Sequence, residues 1–219
     1  MFAIWASQVN AQGMDIRGIG LIDVGTAGGC TGTLIEPDLV LTAAHCLLTQ
    51  LEGRMILPTE IAFRPATLTG LPGPKYFGAR AIVHPIYLIP GLSSARKISR
   101  DIALLQLQVP VPVDVATPLA TGPLATSPDK GFVISFRGRA SVARQRKCDP
   151  IDAAHGVIRL NCAVVKGNSG SPYLTVVDGN LVVEAVVSAT TKLGRQSIGL
   201  AVDLRDGYAG LREAFTSSR

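Results

Sequence analysis

Gly167-Asn168-Ser169-Gly170-Ser171-Pro172 places one serine between small residues, with a glycine two positions before it and another directly after it. Glycine lets a backbone turn sharply and approach another molecule closely, which suits a serine hydroxyl that must be accessible. A serine hydroxyl is a poor nucleophile unless a neighbouring base removes its proton. The stretch therefore predicts a nucleophilic serine if the chain also supplies a histidine and a carboxylate that orients it.

The composition indicates a globular protein. The chain has 219 residues, of which 47% are hydrophobic and 17% charged, enough for one large domain or two small ones. The net charge of +5 is modest, and few aromatic residues interleave with the basic ones, so we expect no nucleic-acid partner. The basic cluster Arg144, Arg146 and Lys147 is interpreted as a solvated loop, with a phosphate or acidic-surface contact as the alternative.

The four cysteines form two local pairs, without the Cys-x-x-Cys spacing of a zinc or redox site. The economical interpretation is two disulfides, Cys30–Cys46 and Cys148–Cys162, and the alternative is four buried free thiols. Each disulfide would close a loop of about 15 residues and stabilise the fold by roughly 3 kcal/mol. Disulfides indicate an oxidising compartment, so we expect a secreted or periplasmic protein.

The N-terminus and the hydropathy pattern bear on targeting. Residues 1–12 resemble a signal peptide that lacks its basic front portion, and a loose N-terminal arm is the alternative. No apolar stretch is long enough to predict a membrane span.

Short apolar runs broken by turn residues favour an all-β fold. Val109 to Leu124 contains four prolines, which argues against a helix or central strand and suggests a join between two similar halves. We expect one half over 13–115 and the other over 116–219. The apolar spacing of Asp206 to Phe215 predicts a closing helix.

Among the three histidines, His45 has the most suitable context for a base, because it follows two alanines and precedes Cys46. His84 ends a predicted strand and is interpreted as structural. His155 lies between Cys148 and Cys162 and is a minor candidate. Asp101 begins an apolar run, where a carboxylate needs a partner such as the imidazole N–H of His45; the alternative is a turn residue.

The order of these residues along the chain separates two enzyme classes. An α/β-hydrolase presents serine, acid and histidine in that order, with Gly-x-Ser-x-Gly around the nucleophile. Here the order is His45, Asp101, Ser169, and Ser171 stands where the last glycine of that motif would be.

Three stretches in this order resemble the signatures of the chymotrypsin-like serine proteases: Leu41-Thr42-Ala43-Ala44-His45-Cys46, Asp101-Ile102-Ala103-Leu104-Leu105 and Gly167 to Pro172. Val83 to Tyr87 resembles a further segment, and the pair Cys30 and Cys46 matches the disulfide behind the histidine. The resemblance extends from about Ile16 to Phe215. It implies two six-stranded antiparallel β-barrels with a C-terminal helix, His45 and Asp101 in the first barrel and Ser169 in the second.

The resemblance also implies roles. Ser169 would be the nucleophile, His45 the general base and then acid, and Asp101 the residue that fixes the tautomer of His45. The backbone N–H groups of Gly167 and Ser169 would form the oxyanion hole. The substrate would be a protein or peptide; we expect a monomer and no cofactor or metal.

The chain departs from the animal digestive branch at Asn168, where that branch has an aspartate that pairs with a new N-terminus. We therefore predict no activation of that kind, and the form of the motif is closer to the bacterial glutamyl-endopeptidase-like branch. The resemblance implies that the walls of the P1 pocket come from five uncharged residues, Ala163, Val164, Ser188, Ala189 and Thr190. They predict a small or apolar P1 residue, not Lys or Arg, although Lys166 and Lys192 are candidates for attracting acidic side chains.

Two other functions are compatible with the motifs. An inactive protease-like binding module would usually lack one member of the triad, and this chain has all three. An esterase or acyltransferase could use the same site chemistry, and the choice between peptide and ester substrates would distinguish it.

Overall fold

The computed structural model describes residues 14–25, 29–49, 52–122, 131–137 and 142–218. The predicted signal-peptide remnant at 1–12 lies outside the described residues. Strands dominate the described parts of both halves, as the turn-rich sequence predicted.

The first half folds into a closed antiparallel barrel in the order β1-β2-β3-β6-β5-β4, with β4 paired to β1. Its strands are β1 Ile19–Asp23, β2 Gly29–Glu36, β3 Leu39–Thr42, β4 Ala62–Pro65, β5 Tyr76–Val83 and β6 Ala103–Leu107. Short 3-10 helices lie at Ala44–Leu47, Pro58–Glu60 and Pro85–Leu88. The segment from Leu88 to Arg100, which reads as a loop in the sequence, contains the short helix α1, Ser94–Ile98.

The second half forms a sheet in the order β10-β11-β14-β13-β12-β8-β9, with β7 paired in parallel to β13. Its strands are β7 Ala120–Thr121, β8 Phe132–Ser135, β9 Arg144–Lys147, β10 Pro150–Ala154, β11 Val157–Leu160, β12 Pro172–Val177, β13 Asn180–Leu193 and β14 Gln196–Asp203. Only Cys148 and Asp149 separate β9 from β10, so the two ends of the sheet belong to one nearly continuous segment. This second sheet has eight strands among the described residues, two more than expected. Together with the closed first barrel and the C-terminal helix, α2 Leu204–Ser217, it is consistent with the predicted double barrel.

The interpretation of the basic cluster at 144–147 as a loop is wrong. Its residues are exposed, as expected, but they form the edge strand β9 and not a loop. The pairing of β9 with β8 from Phe132↔Lys147 to Ser135↔Arg144 supplies the backbone hydrogen bonds that a loop would lack. Charged side chains on an exposed edge strand also discourage further strand pairing, which is why such a polar stretch can be a strand.

Strands β3 and β6 are apolar almost throughout because both of their faces are covered. Alternate side chains point to opposite faces of a strand. Val40 and Leu105 pack in the core of the first barrel, whereas Leu41 and Leu104 pack in a larger core that also holds residues of the second sheet and Phe215 of α2. These two strands therefore lie at the junction of the two halves.

Candidate active site

The pairing of two strands brings His45 and Asp101 together. Thr42, at the end of β3, pairs with Ala103, at the start of β6. His45 follows Thr42 by three residues, in the 3-10 helix Ala44–Leu47, and Asp101 precedes Ala103 by two. Both side chains consequently leave the barrel from the same end of adjacent strands.

Three donors surround the Asp101 carboxylate. The Nδ1 atom of His45 lies 2.6 Å from Asp101 Oδ2, and the backbone N–H of His45 donates to Oδ1 at 2.9 Å. The hydroxyl of Ser188 donates to Oδ2 at 2.5 Å. A carboxylate that accepts from Nδ1 holds the imidazole in the tautomer whose Nε2 is free to accept a proton.

The two side chains differ in their exposure to solvent. The side chain of Asp101 is 5% exposed and that of His45 is 36% exposed, so the ring can reach a substrate and the carboxylate cannot. Burial lowers the pKa of His45, but the hydrogen bond and the negative charge of Asp101 outweigh it, and the pKa is raised above its ordinary value. The raised pKa makes His45 a stronger base at neutral pH.

The serine loop turns sharply between β11 and β12. Gly167 and Gly170 have φ values of +96° and +78°, which side-chain-bearing residues rarely adopt. A Cβ atom on Gly170 would lie 2.1 Å from the carbonyl oxygen of Thr31 and 2.2 Å from Thr42 Oγ1. The glycine after Ser169 is therefore required by the close approach of the first barrel to this loop.

Thr31, on β2, fastens the serine loop to the first barrel. Its N–H donates to the carbonyl of Ser169 at 2.8 Å, and its hydroxyl donates to the carbonyl of Gly167 at 3.1 Å. The same hydroxyl accepts from the N–H of Phe136 at 3.0 Å, and Thr31 is completely buried. One threonine thus fixes the backbone on both sides of Asn168.

The Asn168 side chain is held from within the second half. Its Oδ1 atom accepts from the N–H of Val165 at 2.8 Å, and its Nδ2 group donates to Ser135 Oγ. The residue is 7% exposed. Both ends of the amide therefore have partners, and no charged group is needed opposite it.

His45 and Ser169 line the same cleft, which has a volume of about 610 Å³. The disulfide Cys30–Cys46 contributes to one wall and the segment Tyr87 to Leu92 to another. No hydrogen bond joins the Ser169 hydroxyl to His45 in the described structure; such bonds are often long or absent until a substrate binds.

Two backbone N–H groups near the serine have no acceptor among the described residues. Among the described residues, neither the N–H of Gly167 nor that of Ser169 donates a hydrogen bond, whereas the neighbouring N–H groups of Asn168 and Gly170 do. Backbone N–H groups without protein partners are available to an anionic ligand. This is the state that an oxyanion hole requires.

The other two histidines do not line this cleft. His84 is 5% exposed, its Nδ1 accepts from the N–H of Ile86, and its Nε2 faces Gly210 of α2, so it is a packing residue as predicted. His155 has a φ of +52° in the turn between β10 and β11, and it does not line the cleft.

The five predicted pocket residues lie outside the lining of the cleft. Ala163 and Val164 precede the serine loop, and Ser188 to Thr190 lie in the middle of β13. The pairing of β13 with β14 shifts register between Val187 and Ala189, which leaves Ser188 without a partner residue in that pairing. The hydroxyl of Ser188 donates its hydrogen bond to Asp101.

Sequence reasoning missed the roles of Ser188 and Thr31. Both are ordinary strand residues in the sequence, and their contacts to Asp101 and to the serine loop depend on a bulge and on the meeting of two halves. The group Cys30, His45 and Cys46 has the spacing of metal ligands, but its two sulfurs are joined in a disulfide and provide no thiolates.

A comparison with known families identifies the family of the chain. A family model described as a trypsin-like peptidase domain matches residues 30–182, which include His45, Asp101 and Ser169. The match covers more than half of the chain, so the chain belongs to the trypsin-like peptidases. It is a serine peptidase, a hydrolase that acts on protein or peptide substrates.

Both disulfides predicted from the sequence are formed, Cys30–Cys46 and Cys148–Cys162, and no cysteine is free. They fit an extracellular or periplasmic protein. No helix in the described residues has the length and hydropathy needed to cross a membrane.

Proposed function

We propose that the chain is an endopeptidase in which His45, Asp101 and Ser169 act as a catalytic triad. The observation that carries this proposal is the 2.6 Å contact between His45 Nδ1 and the buried Asp101, behind a cleft that His45 shares with Ser169. The bond leaves Nε2 of His45 as the ring nitrogen that can accept the serine proton.

In the proposed reaction, Ser169 Oγ attacks the scissile carbonyl carbon while His45 Nε2 accepts the hydroxyl proton. The carbonyl oxygen becomes an oxyanion that the N–H groups of Gly167 and Ser169 stabilise. His45 then gives its proton to the amide nitrogen, the C–N bond breaks, and the acyl group remains as an ester on Ser169. Water, deprotonated by His45, hydrolyses this ester and restores the serine.

For the P1 residue we propose a small or apolar side chain. Ala163, Val164, Ser188, Ala189 and Thr190 offer no carboxylate to pair with Lys or Arg. The hydroxyl of Ser188 is engaged with Asp101, and that of Thr190 donates to the carbonyl of Ile198 at 3.1 Å. Such a wall is short of free polar groups and favours uncharged side chains.

We further propose that the site forms without insertion of a newly cut N-terminus. The support for this is Asn168, whose neutral side chain has partners at both ends. We also propose that the chain divides into two halves, 13–115 and 116–219. We propose further that it is monomeric and that it is secreted or exported to the periplasm.

The test is hydrolysis of a peptide library varied at P1, compared with simple esters. We expect cleavage after Ala, Val or Leu that is lost in Ser169→Ala and kept in Ser171→Ala. Ser171 is a matched control, since it is a neighbouring serine, fully buried and without a hydrogen-bond partner for its hydroxyl among the described residues. Strong cleavage after Arg would contradict the proposed specificity, and cleavage of esters alone would indicate an esterase.

A further inference from the structure

The cleft beside Ser169 has a charge pattern that the proposed reaction does not use. Two lysines line it, Lys97 on α1 and Lys166 directly before Gly167, and no acidic residue is among the described residues that line it. The chemistry of cleavage needs neither ammonium group.

Neither lysine has an acidic partner among the described residues. Both are exposed, and no ion pair in the described part of the chain involves either of them. Other lysines do have carboxylate partners, for example Lys75 with Asp23 at 3.2 Å. The positive charge in the cleft is therefore available to a ligand.

Lys97 is held at the cleft by its surroundings. Its Nζ atom lies 5.1 Å from the centre of the Tyr87 ring, and Tyr87 also lines the cleft. A cation over an aromatic ring is attracted to it, which restricts where the long side chain points. Holding the ammonium in place lowers the entropic cost of pairing it with a ligand.

Apolar side chains surround these charges. Leu88 and Ile89 are each 51% exposed, and both line the cleft together with Leu48 and Ile56. Apolar side chains beside a charge lower the local dielectric constant and strengthen the attraction of the charge for an opposite one. The combination suits a peptide that carries an acidic side chain among apolar ones.

We propose that this cleft selects peptides with Asp or Glu beside the P1 residue, and that Lys166 and Lys97 are the residues that recognise the carboxylate. The inference rests on the proposed function, because it takes the ligand to be a peptide whose scissile bond lies at Ser169. The acidic residue is not at P1, since the predicted P1 walls lie outside this cleft.

The test measures binding without cleavage. In a Ser169→Ala background, fluorescent peptides that differ only by Glu or Gln at one position on either side of P1 are titrated by fluorescence anisotropy. We expect the Glu peptide of at least one pair to bind roughly three- to tenfold more tightly, and this difference to shrink as salt rises. Equal affinity within every pair would overturn the inference.

Charge-reversal variants test whether Lys166 and Lys97 recognise the carboxylate of the peptide. Lys166→Glu and Lys97→Glu, each in the same background, are expected to abolish or invert the preference, and Lys166→Ala to weaken it. Lys192→Glu is the matched control, because Lys192 is an exposed lysine on β13 that does not line the cleft. A loss of preference in Lys192→Glu equal to that in Lys166→Glu would refute the assignment.

Hydrolysis of the Gln peptides by the protein with Ser169 intact separates this inference from the proposed function. Selective binding without hydrolysis would support the recognition and refute the endopeptidase. Hydrolysis together with equal binding of Glu and Gln peptides would support the endopeptidase and refute the recognition of acidic side chains.

Discussion

At the scale of single residues, the account depends on the pair His45 and Asp101. The carboxylate is buried and accepts three hydrogen bonds, two of them from His45. Its negative charge opposes the effect of burial on the imidazole and raises the pKa of His45. Because His45 must be neutral to accept the serine proton, activity is expected to fall as the pH falls through this raised pKa.

Asp101→Asn is therefore expected to change both the rate and its pH dependence. An amide can favour the wrong tautomer, so kcat should fall by about 10⁴-fold. Without the negative charge, burial alone acts on His45 and lowers its pKa, so the acid limb of the remaining activity should move to lower pH. Measurement of kcat/KM from pH 4 to 9 checks this, and an acid limb that stays in place would contradict the assigned role of Asp101.

Asn168 gives a second prediction at this scale. Asn168→Asp replaces a neutral amide with a carboxylate at a 7% exposed position and removes the donor to Ser135. Burial of a charge without a cationic partner should lower the free energy of unfolding by about 1–3 kcal/mol or more. Thermal denaturation measures the loss, which should be smaller at pH 4 than at pH 8 because protonation neutralises the new carboxyl. Unchanged stability and activity at pH 8 would show that the amide contacts are unimportant.

At the scale of elements, β2 supplies a contact that crosses between the halves. Thr31→Val keeps the shape of the side chain but removes the hydroxyl that joins Gly167 and Phe136. Two buried backbone groups then lose a partner, so the free energy of unfolding should fall by about 2–4 kcal/mol. The rate should fall as well, because Gly167 carries one proposed oxyanion donor.

The control for Thr31→Val is the variant Thr67→Val. Thr67 is a partly buried threonine whose hydroxyl contacts Thr69, outside the serine loop. Urea denaturation and kcat should both change for Thr31→Val and hardly at all for Thr67→Val. Equal kcat values for the two variants would argue against a role for Thr31 in positioning the loop.

Much of the element order could be predicted from the sequence, for physical reasons. The dipeptide Asp178-Gly179 between two apolar runs predicts a hairpin turn, because such a turn needs residues that tolerate positive φ. The structure has φ values of +50° and +79° there. The apolar run after Asp101 and the periodicity of Asp206 to Phe215 likewise correspond to β6 and α2. These signals are local, so a sequence contains them directly.

Contacts between distant segments could not be predicted in this way. The hydrogen bond from Ser188 to Asp101 joins residues 87 positions apart and depends on a register shift in β13. Lys97 reaches the cleft because a short helix forms in a segment that reads as a loop. The motifs around His45, Asp101 and Ser169 gave the candidate triad, but not the groups that support it.

At the scale of the whole molecule, α2 returns from the second half to the first. Phe215 is 4% exposed in the core shared by both halves, and the Arg80 guanidinium lies 4.3 Å from the centre of its ring. The guanidinium also donates to the carbonyl of Phe215. The helix therefore fastens the end of the chain to β5.

Phe215→Ala should destabilise the molecule as a unit. Removal of a buried phenylalanine costs about 3–5 kcal/mol, and the loss should appear in a single unfolding transition if the shared core couples the halves. Phe77→Ala is the control, because Phe77 is 42% exposed and should change stability little. Two separate transitions in calorimetry of Phe215→Ala would show that the halves unfold independently.

The central claim, that Ser169 is a nucleophile activated by the folded site, is tested most directly by covalent labelling with a fluorophosphonate and peptide mapping by mass spectrometry. The account predicts one adduct per folded chain, on Ser169, which is absent from Ser169→Ala, strongly slowed in His45→Ala and lost after denaturation. Folded protein that takes up no label, or a Ser169→Ala variant that labels as well as the parent, would contradict it.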